Sequence, residues 1–416
     1  MADMVRGVVA MACGAVLAAA PALAQGGPLT VGPQSGPLTV GPQSGPLTVG
    51  PQSGPLTVGM IVTLSGPGAV IGTHARDGFA LALKQHGGKL GGRDVTFTVV
   101  DDELKPDTAV ARARRLVEQD HAEFVVGPIF SNVLAAIFRP VTSSAILISP
   151  NAGSSVYAGK QCSPNFFVTS YENNQVHEVS GAVATERGYK RAFLMAPNYQ
   201  AGRDAMAGFK AKFKGEVVEE DYVPLTQIDF QADLAKIASL KPDVVYAFMP
   251  GGLGVNFVKQ FHQSGLTLPV LSAFTVDETT LPAQKEAAVG FFGGSTWAPD
   301  MDNPANKAFV AAFEAEYKYV PGSYAAQAFD AASLIDSALV KTGGSTADKD
   351  KLRAALRAAD FTSLRGAFKF NNNGYPIQDF YLVQVAQRAD GKFETQIRER
   401  VFHDYADNFA KDCPTP

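Results

Sequence analysis

The 416-residue sequence predicts an α/β protein made of two doubly wound lobes, and three observations carry that expectation. Short, continuously apolar runs alternate with segments whose apolar residues recur at helical spacing, the pattern of parallel strands covered on both faces. The alternation begins at Leu56, ends near Ile148 and restarts at Asn173. A chain of this length also exceeds what one core normally organises.

In the first unit, apolar runs place strands at 56–64, 95–100, 124–127 and 146–148. Between them, helical spacing marks 72–85, 107–119 and 132–139 as helices. In the second, helices at 173–187, 202–213, 230–240 and 255–264 lead into strands at 191–196, 217–223, 243–247 and 270–272. Long helical patterns follow at 306–317 and 324–341. Residues 368–370, a turn at 371–374 and residues 380–385 have an antiparallel look, and the chain crosses between the two sheets more than once.

Composition narrows the function classes. Hydrophobic residues make up 46% and charged residues 18%, as in a folded globule, and the formal charge is only −4 with no basic block. Nucleic acid and anionic membrane are therefore poor partners. The N-terminus carries Arg6, an apolar run from Gly7 to Ala20, and Ala22-Leu23-Ala24, the order of a secretory signal cleaved after Ala24. The run is short and rich in Ala and Gly for a membrane anchor. Too few apolar residues precede Cys13 for a lipoprotein signal.

From Gly27 the unit Gly-Pro-Leu-Thr-Val-Gly-Pro-Gln-Ser occurs three times, and a fourth copy runs into the first strand. Nine Gly- and Pro-rich residues build no core, so 25–54 reads as a duplicated, flexible linker. Cleavage of the signal leaves Cys162 and Cys413, which in an oxidising compartment are best explained as one disulfide, the alternative being two free thiols. Neither has partners at metal-ligand spacing, so no metal is expected. No G-x-S-x-G, Walker or H-E-x-x-H motif occurs, which argues against catalysis and against a nucleotide cofactor.

Ligands of such sheets bind at the loops after the strands. Three loops are rich in Gly, Ser and small residues: Ser65 to Gly72, Gly127-Pro128-Ile129-Phe130-Ser131-Asn132, and Ser149-Pro150-Asn151-Ala152-Gly153-Ser154. Exposed N–H groups and hydroxyls at helix N-termini suit a carboxylate without any cationic side chain. With Asp101-Asp102, Asn198 to Gly202 and Phe368 to Gly374, these segments resemble the substrate-binding proteins of the branched-chain amino acid (leucine/isoleucine/valine-binding) class of ABC transporters.

That resemblance covers nearly all of 55–400 and implies two Rossmann-like lobes joined by a three-strand hinge, the type I periplasmic binding protein fold. It implies an N-terminal lobe of 55–169 plus 298–354 and a C-terminal lobe of 170–297 plus 355–416, with crossovers near Thr169-Ser170, near Thr296-Trp297 and past 350. Ser131 matches the carboxylate-binding serine, and Asn151, Ala152 and Gly153 match the loop around it. Tyr199 matches a tyrosine folding over the ligand, and Ile71 falls where the family places an aromatic wall. Phe130, Asn132, Ser154, Met249, Phe274 and Thr275 complete the candidate set.

Two departures bear on specificity. Gly153 stands where amino-acid binders carry a hydroxyl residue, with Ser154 able to substitute. Phe274 or Thr275 stands where they carry a carboxylate, with Asp277 two residues too late. A buried, unpaired ammonium costs several kcal/mol, so an aromatic or other apolar acid is favoured over an amino acid. Phe130, Tyr199, Phe274 and Trp297 could supply the rings.

The bland readings are that Ser131 only caps a helix, the phenylalanines are core, His74 is bonded to backbone, and Asp101 and Asp102 cap a turn. The expected protein is periplasmic and monomeric, without a cofactor, and delivers its ligand to an inner-membrane permease. Alternatives are a branched-chain amino acid binder, a ligand-sensing domain serving a receptor, and an enzyme on the same scaffold.

Overall fold

A computed structural model describes residues 54–414. The expected signal segment, and all of the expected linker except Gly54, lie outside these residues. The first half contains β1 (Leu56–Val62), α1 (Ala69–Gln85), β2 (Lys89–Leu90), β3 (Arg93–Asp101), α2 (Pro106–Arg114), β4 (Phe124–Val126), α3 (Ser131–Thr142), β5 (Ile146–Ser149) and β6 (Phe166–Val168). Next come α4 (Asn173–Glu186), β7 (Arg191–Pro197), α5 (Gln200–Lys212), β8 (Glu216–Val223), α6 (Gln231–Leu240), β9 (Val244–Ala247), α7 (Gly252–Gln263), β10 (Val270–Ser272), α8 (Leu281–Gln284) and β11 (Phe292–Ser295). The chain ends with α9 (Pro304–Tyr317), α10 (Ser323–Lys341), α11 (Lys349–Arg357), β12 (Lys369–Phe370), β13 (Pro376–Gln387) and β14 (Phe393–Tyr405).

One sheet runs β2-β3-β1-β4-β5-β6, parallel except for β2. Its central strands are buried on both faces, as their apolar runs require. The other runs β12-β13-β11-β10-β9-β7-β8, with β14 added on β13. Strands β7 to β11 are parallel; β12 and β13 pair antiparallel as expected, and β14 adds antiparallel to β13.

Each sheet therefore reverses strand order once, between β1 and β4 in the first and between β7 and β9 in the second. At such a reversal the two following loops diverge and leave a crevice. Close packing there demands glycine. A Cβ on Gly72 would meet the Thr63 carbonyl at 1.9 Å, and Gly127 combines φ +126° with the Ile61 carbonyl 2.0 Å from an added Cβ.

Three connections run between the sheets, at 169–172, 296–303 and 358–368. Buried Arg365 ties two of them together. Its guanidinium donates to Asp330 of α10 (3.0 Å), to the Thr169 and Ser170 carbonyls (2.5 and 3.1 Å) and to Gln378 of β13 (2.8 Å). Cys162 and Cys413, separated by 251 residues, form the expected disulfide.

The expected helix at 107–119 loses α-helical pairing at Arg114, and Arg115–Gln119 forms a wider π-helical turn. Strands β6 and β11 and helix α11 were not legible. β6 is three residues long, and β11 reads Phe-Gly-Gly-Ser, a loop composition. β14 was missed because its outer face is exposed and charged.

Candidate ligand-binding site

The crevices of the two sheets face each other and enclose one cavity, with about 380 Å³ free of protein atoms when adjoining solvent is included. Loops after β1 and β4 bring Ile71, Ile129, Phe130 and Ser131; the β5 loop adds Asn151 and Ala152. From the opposite side come Tyr199 and Ala201 after β7, Phe248 and Pro250 after β9, and Phe274 after β10. Tyr171, Asn173 and His177 descend from the first connection into α4, and Tyr324 comes from α10. Among the described residues no Asp, Glu, Lys or Arg lines the cavity.

The polar end is the N-terminus of α3. Its N-cap is Phe130, which offers no side-chain acceptor, and the N–H groups of Ser131, Asn132 and Val133 have no protein acceptor among the described residues. Unmet N–H groups and the helix dipole make this end an anion site. The Ser131 hydroxyl accepts a hydrogen bond from Asn173 Nδ2 at 3.2 Å, so its own proton stays available to a ligand.

The apolar walls are rings. Tyr171 stacks on Phe274 with centroids 5.3 Å apart, and Tyr324 packs tilted against Phe274 at 5.6 Å. Tyr199 lies 6.4 Å from both Phe130 and Phe248. Phe274 holds φ +58°, a left-handed backbone that is sterically costly for an aromatic residue. His177 packs edge-on against Phe248 at 4.9 Å, and its Nδ1 lies 2.5 Å from the Tyr246 hydroxyl. Burial lowers the His177 pKa to about 3, so the ring is neutral.

A polar seam crosses the cavity's rim. Asp204 of α5 accepts from the Ser155 hydroxyl (2.7 Å), Asn173 Nδ2 (2.8 Å) and Gln200 Nε2 (2.8 Å). Ser155 follows β5 of the first sheet, so the carboxylate joins the two halves directly.

Of the sequence candidates, Ile71, Phe130, Ser131, Asn151, Ala152, Tyr199 and Phe274 line the cavity. Asn132, Gly153, Ser154, Met249 and Thr275 do not. Gly153 spends its N–H on Asn173 Oδ1 and its carbonyl on the Asn173 N–H. Ser154 is buried, its carbonyl taking the Tyr375 hydroxyl. Met249 donates its N–H to the Thr275 hydroxyl, which itself donates to the Ala247 carbonyl, locking two strand ends together. Asn132 contributes a free backbone N–H, but its side chain is not in the lining.

Trp297 is also outside the cavity: it packs on Phe309 and donates from Nε1 to Asn306 at 2.6 Å. His74 instead accepts from the Gly322 N–H. Asp101 and Asp102 accept from the N–H groups of Glu103 and Leu104, the turn-capping role expected of them. Asn151 lines the cavity with its side chain already committed to the Ile129 carbonyl and the Tyr171 hydroxyl. Asp277 lies beneath the rings beside Tyr324, outside the lining, and burial raises its pKa to about 6.

Phe248 and Pro250 directly follow β9, so the strand-end rule could have found them. Tyr171, Asn173, His177 and Tyr324 come from a connection and from helices, and their sequence surroundings read as ordinary core or cap.

The sequence matches the periplasmic binding protein family over residues 55–392. The Leu/Ile/Val-binding protein homolog 6 of Brucella melitensis is 28% identical over 350 residues, spanning 80% of this chain and 88% of that one. An ABC-transporter solute-binding protein from R. palustris, solved in complex with benzoate, is 35% identical with a TM-score of 0.81, covering 86% of this chain and 99% of its own. Another from Rhodopseudomonas palustris BisB5, in complex with 3,4-dihydroxybenzoic acid, is 30% identical with a TM-score of 0.80 over 85% and 98%. Two opposed crevices, an uncapped helix end between them and these matches agree, and the chain belongs to the periplasmic binding protein family as a solute-binding protein of the ABC-transporter kind.

Proposed function

We propose that this protein closes its two lobes over an aromatic carboxylate in the periplasm and presents it to an inner-membrane permease. The observation that carries the reading is the free first turn of α3 opening into a ring-lined cavity without a charged side chain. The carboxylate takes the N–H groups of 131–133 and the Ser131 proton, and the ring lies among Tyr199, Phe248 and Phe274. An α-amino acid would bring an ammonium with no carboxylate to meet it, at a cost of several kcal/mol. The complexes of the R. palustris neighbours with benzoate and dihydroxybenzoate support the same ligand class.

Among the described residues no helix is long and apolar enough to cross a membrane, in keeping with a role that leaves translocation to a partner. Isothermal titration of the mature chain with benzoate and with leucine tests the proposal. Binding of benzoate alone is expected, weakened about 10- to 150-fold by Ser131→Ala if one charge-assisted hydrogen bond is lost. Saturable binding of leucine with no response to benzoate overturns it.

A further inference from the structure

We infer that His177 reads an oxygen on the aromatic ring opposite the carboxylate, making the ligand a para-hydroxy or para-alkoxy aromatic acid rather than an unsubstituted one. The inference rests on the aromatic-acid reading above. It starts from His177 as the one imidazole lining the cavity among the described residues.

The Tyr246 hydroxyl is fully buried and has no partner other than His177 Nδ1 among the described residues. If Nδ1 carried the proton, the buried tyrosine proton would be left with no acceptor. The satisfied arrangement has Tyr246 donating to Nδ1, which puts the proton of the neutral ring on Nε2. Nε2 has no protein acceptor among the described residues. His177 is therefore a fixed donor at the edge of a ring-lined cavity, and burial keeps it uncharged across the physiological range.

Its place sets the substituent's position. Asn173 touches the Ser131 hydroxyl, and His177 lies four residues further along α4. Residues four apart on a helix share a face, so a ring whose carboxylate meets Ser131 and whose body lies along Phe248 turns its far edge toward His177, which packs against Phe248 at 4.9 Å. A donor without a protein acceptor favours the ligand that supplies one, because the unsubstituted ring leaves the N–H unmet once it covers it.

Isothermal titration of the mature wild-type chain and of His177→Phe with benzoate, 4-hydroxybenzoate and 4-methoxybenzoate tests this. In the wild type both oxygenated acids are expected to bind at least tenfold more tightly than benzoate, and in His177→Phe that ratio is expected to fall to near one. Because the readout is a ratio between ligands, a general weakening of the variant does not imitate the result. Should His177→Phe fail to fold, the wild-type ratio alone still decides whether a para oxygen is read. Benzoate binding as tightly as the other two, or a preference that survives in His177→Phe, overturns the inference while leaving the aromatic-acid reading intact. No binding of any of the three overturns that reading and this one with it.

Discussion

The Ser155–Asp204 contact makes the energy of lobe closure measurable apart from the ligand's own contacts. Ser155 lies outside the cavity lining, yet its hydroxyl donates across the two halves to the Asp204 carboxylate at 2.7 Å. A hydrogen bond to a charged group contributes about 1.5–3 kcal/mol. Ser155→Ala removes it and leaves Asp204 its bonds from Asn173 and Gln200 and the longer one from the Ser155 backbone N–H (3.4 Å), so no buried carboxylate is orphaned. If the ligand is held by the closed form, the apparent affinity follows the closed population. Benzoate binding is then expected to weaken about 10- to 150-fold, mostly through faster release. Titration calorimetry gives the affinity and stopped-flow tyrosine fluorescence the release rate. The ligand-free melting temperature should stay near wild type, because the contact belongs to closure rather than to either lobe's core. In a double-mutant cycle with Asp204→Ala, the coupling energy should match the Ser155→Ala loss. Unchanged affinity in Ser155→Ala, or a ligand-free melting temperature falling as far as the ligand-bound one, refutes the latch.

Other outcomes follow from buried groups away from the cavity. Burial raises Glu278 to about 8, with Asp277 nearby adding to it. A carboxyl whose folded pKa exceeds its unfolded value stabilises fully below the unfolded pKa, near 4.5, and that contribution is lost as pH rises through about 8. Glu278→Gln should therefore reduce the stability difference between pH 5 and pH 8 in chemical denaturation, and an unchanged difference counts against a neutral Glu278. Arg365→Met strands buried Asp330 and is expected to cost about 3–5 kcal/mol in urea unfolding; a cost under 1 kcal/mol would show the carboxyl is not charged there. Replacing Cys162 and Cys413 together by Ser opens a closed loop of 251 residues and should lower stability by about 5.5 kcal/mol on the chain-entropy account, read as a lower midpoint in non-reducing denaturation. A midpoint equal to that of the wild type would exclude the bond's contribution.

The alternation of apolar runs and helices was legible because both sheets are mostly parallel and doubly covered, so each central strand is apolar on two faces. The candidate residues drawn from strand ends meet for the same reason: Phe130, Ser131, Asn151, Tyr199 and Phe274 sit where ligands of such sheets bind. What was not legible depends on how the two sheets face each other. Tyr171, Asn173 and His177 are near one another in sequence, but only the path of the first connection turns them into the crevice. Gly153 and Thr275 show the reverse error, since they hold the matching positions while their hydrogen-bonding groups serve the backbone. Trp297 was misplaced because an aromatic near a crossover looks the same whether it faces the crevice or, as here, the core beside α9.

The left-handed backbone at Phe274 bears on how this chain's selectivity could drift. Asparagine and aspartate tolerate such a φ far better than phenylalanine, so replacing the ring by either would relax the main chain while emptying one wall of the cavity. Aspartate would in the same step bring a negative charge to the position where the resemblance expects one, facing an ammonium. A single codon's worth of change at a strained residue thus separates a site for ring acids from one suited to zwitterions, and the fold around it need not move.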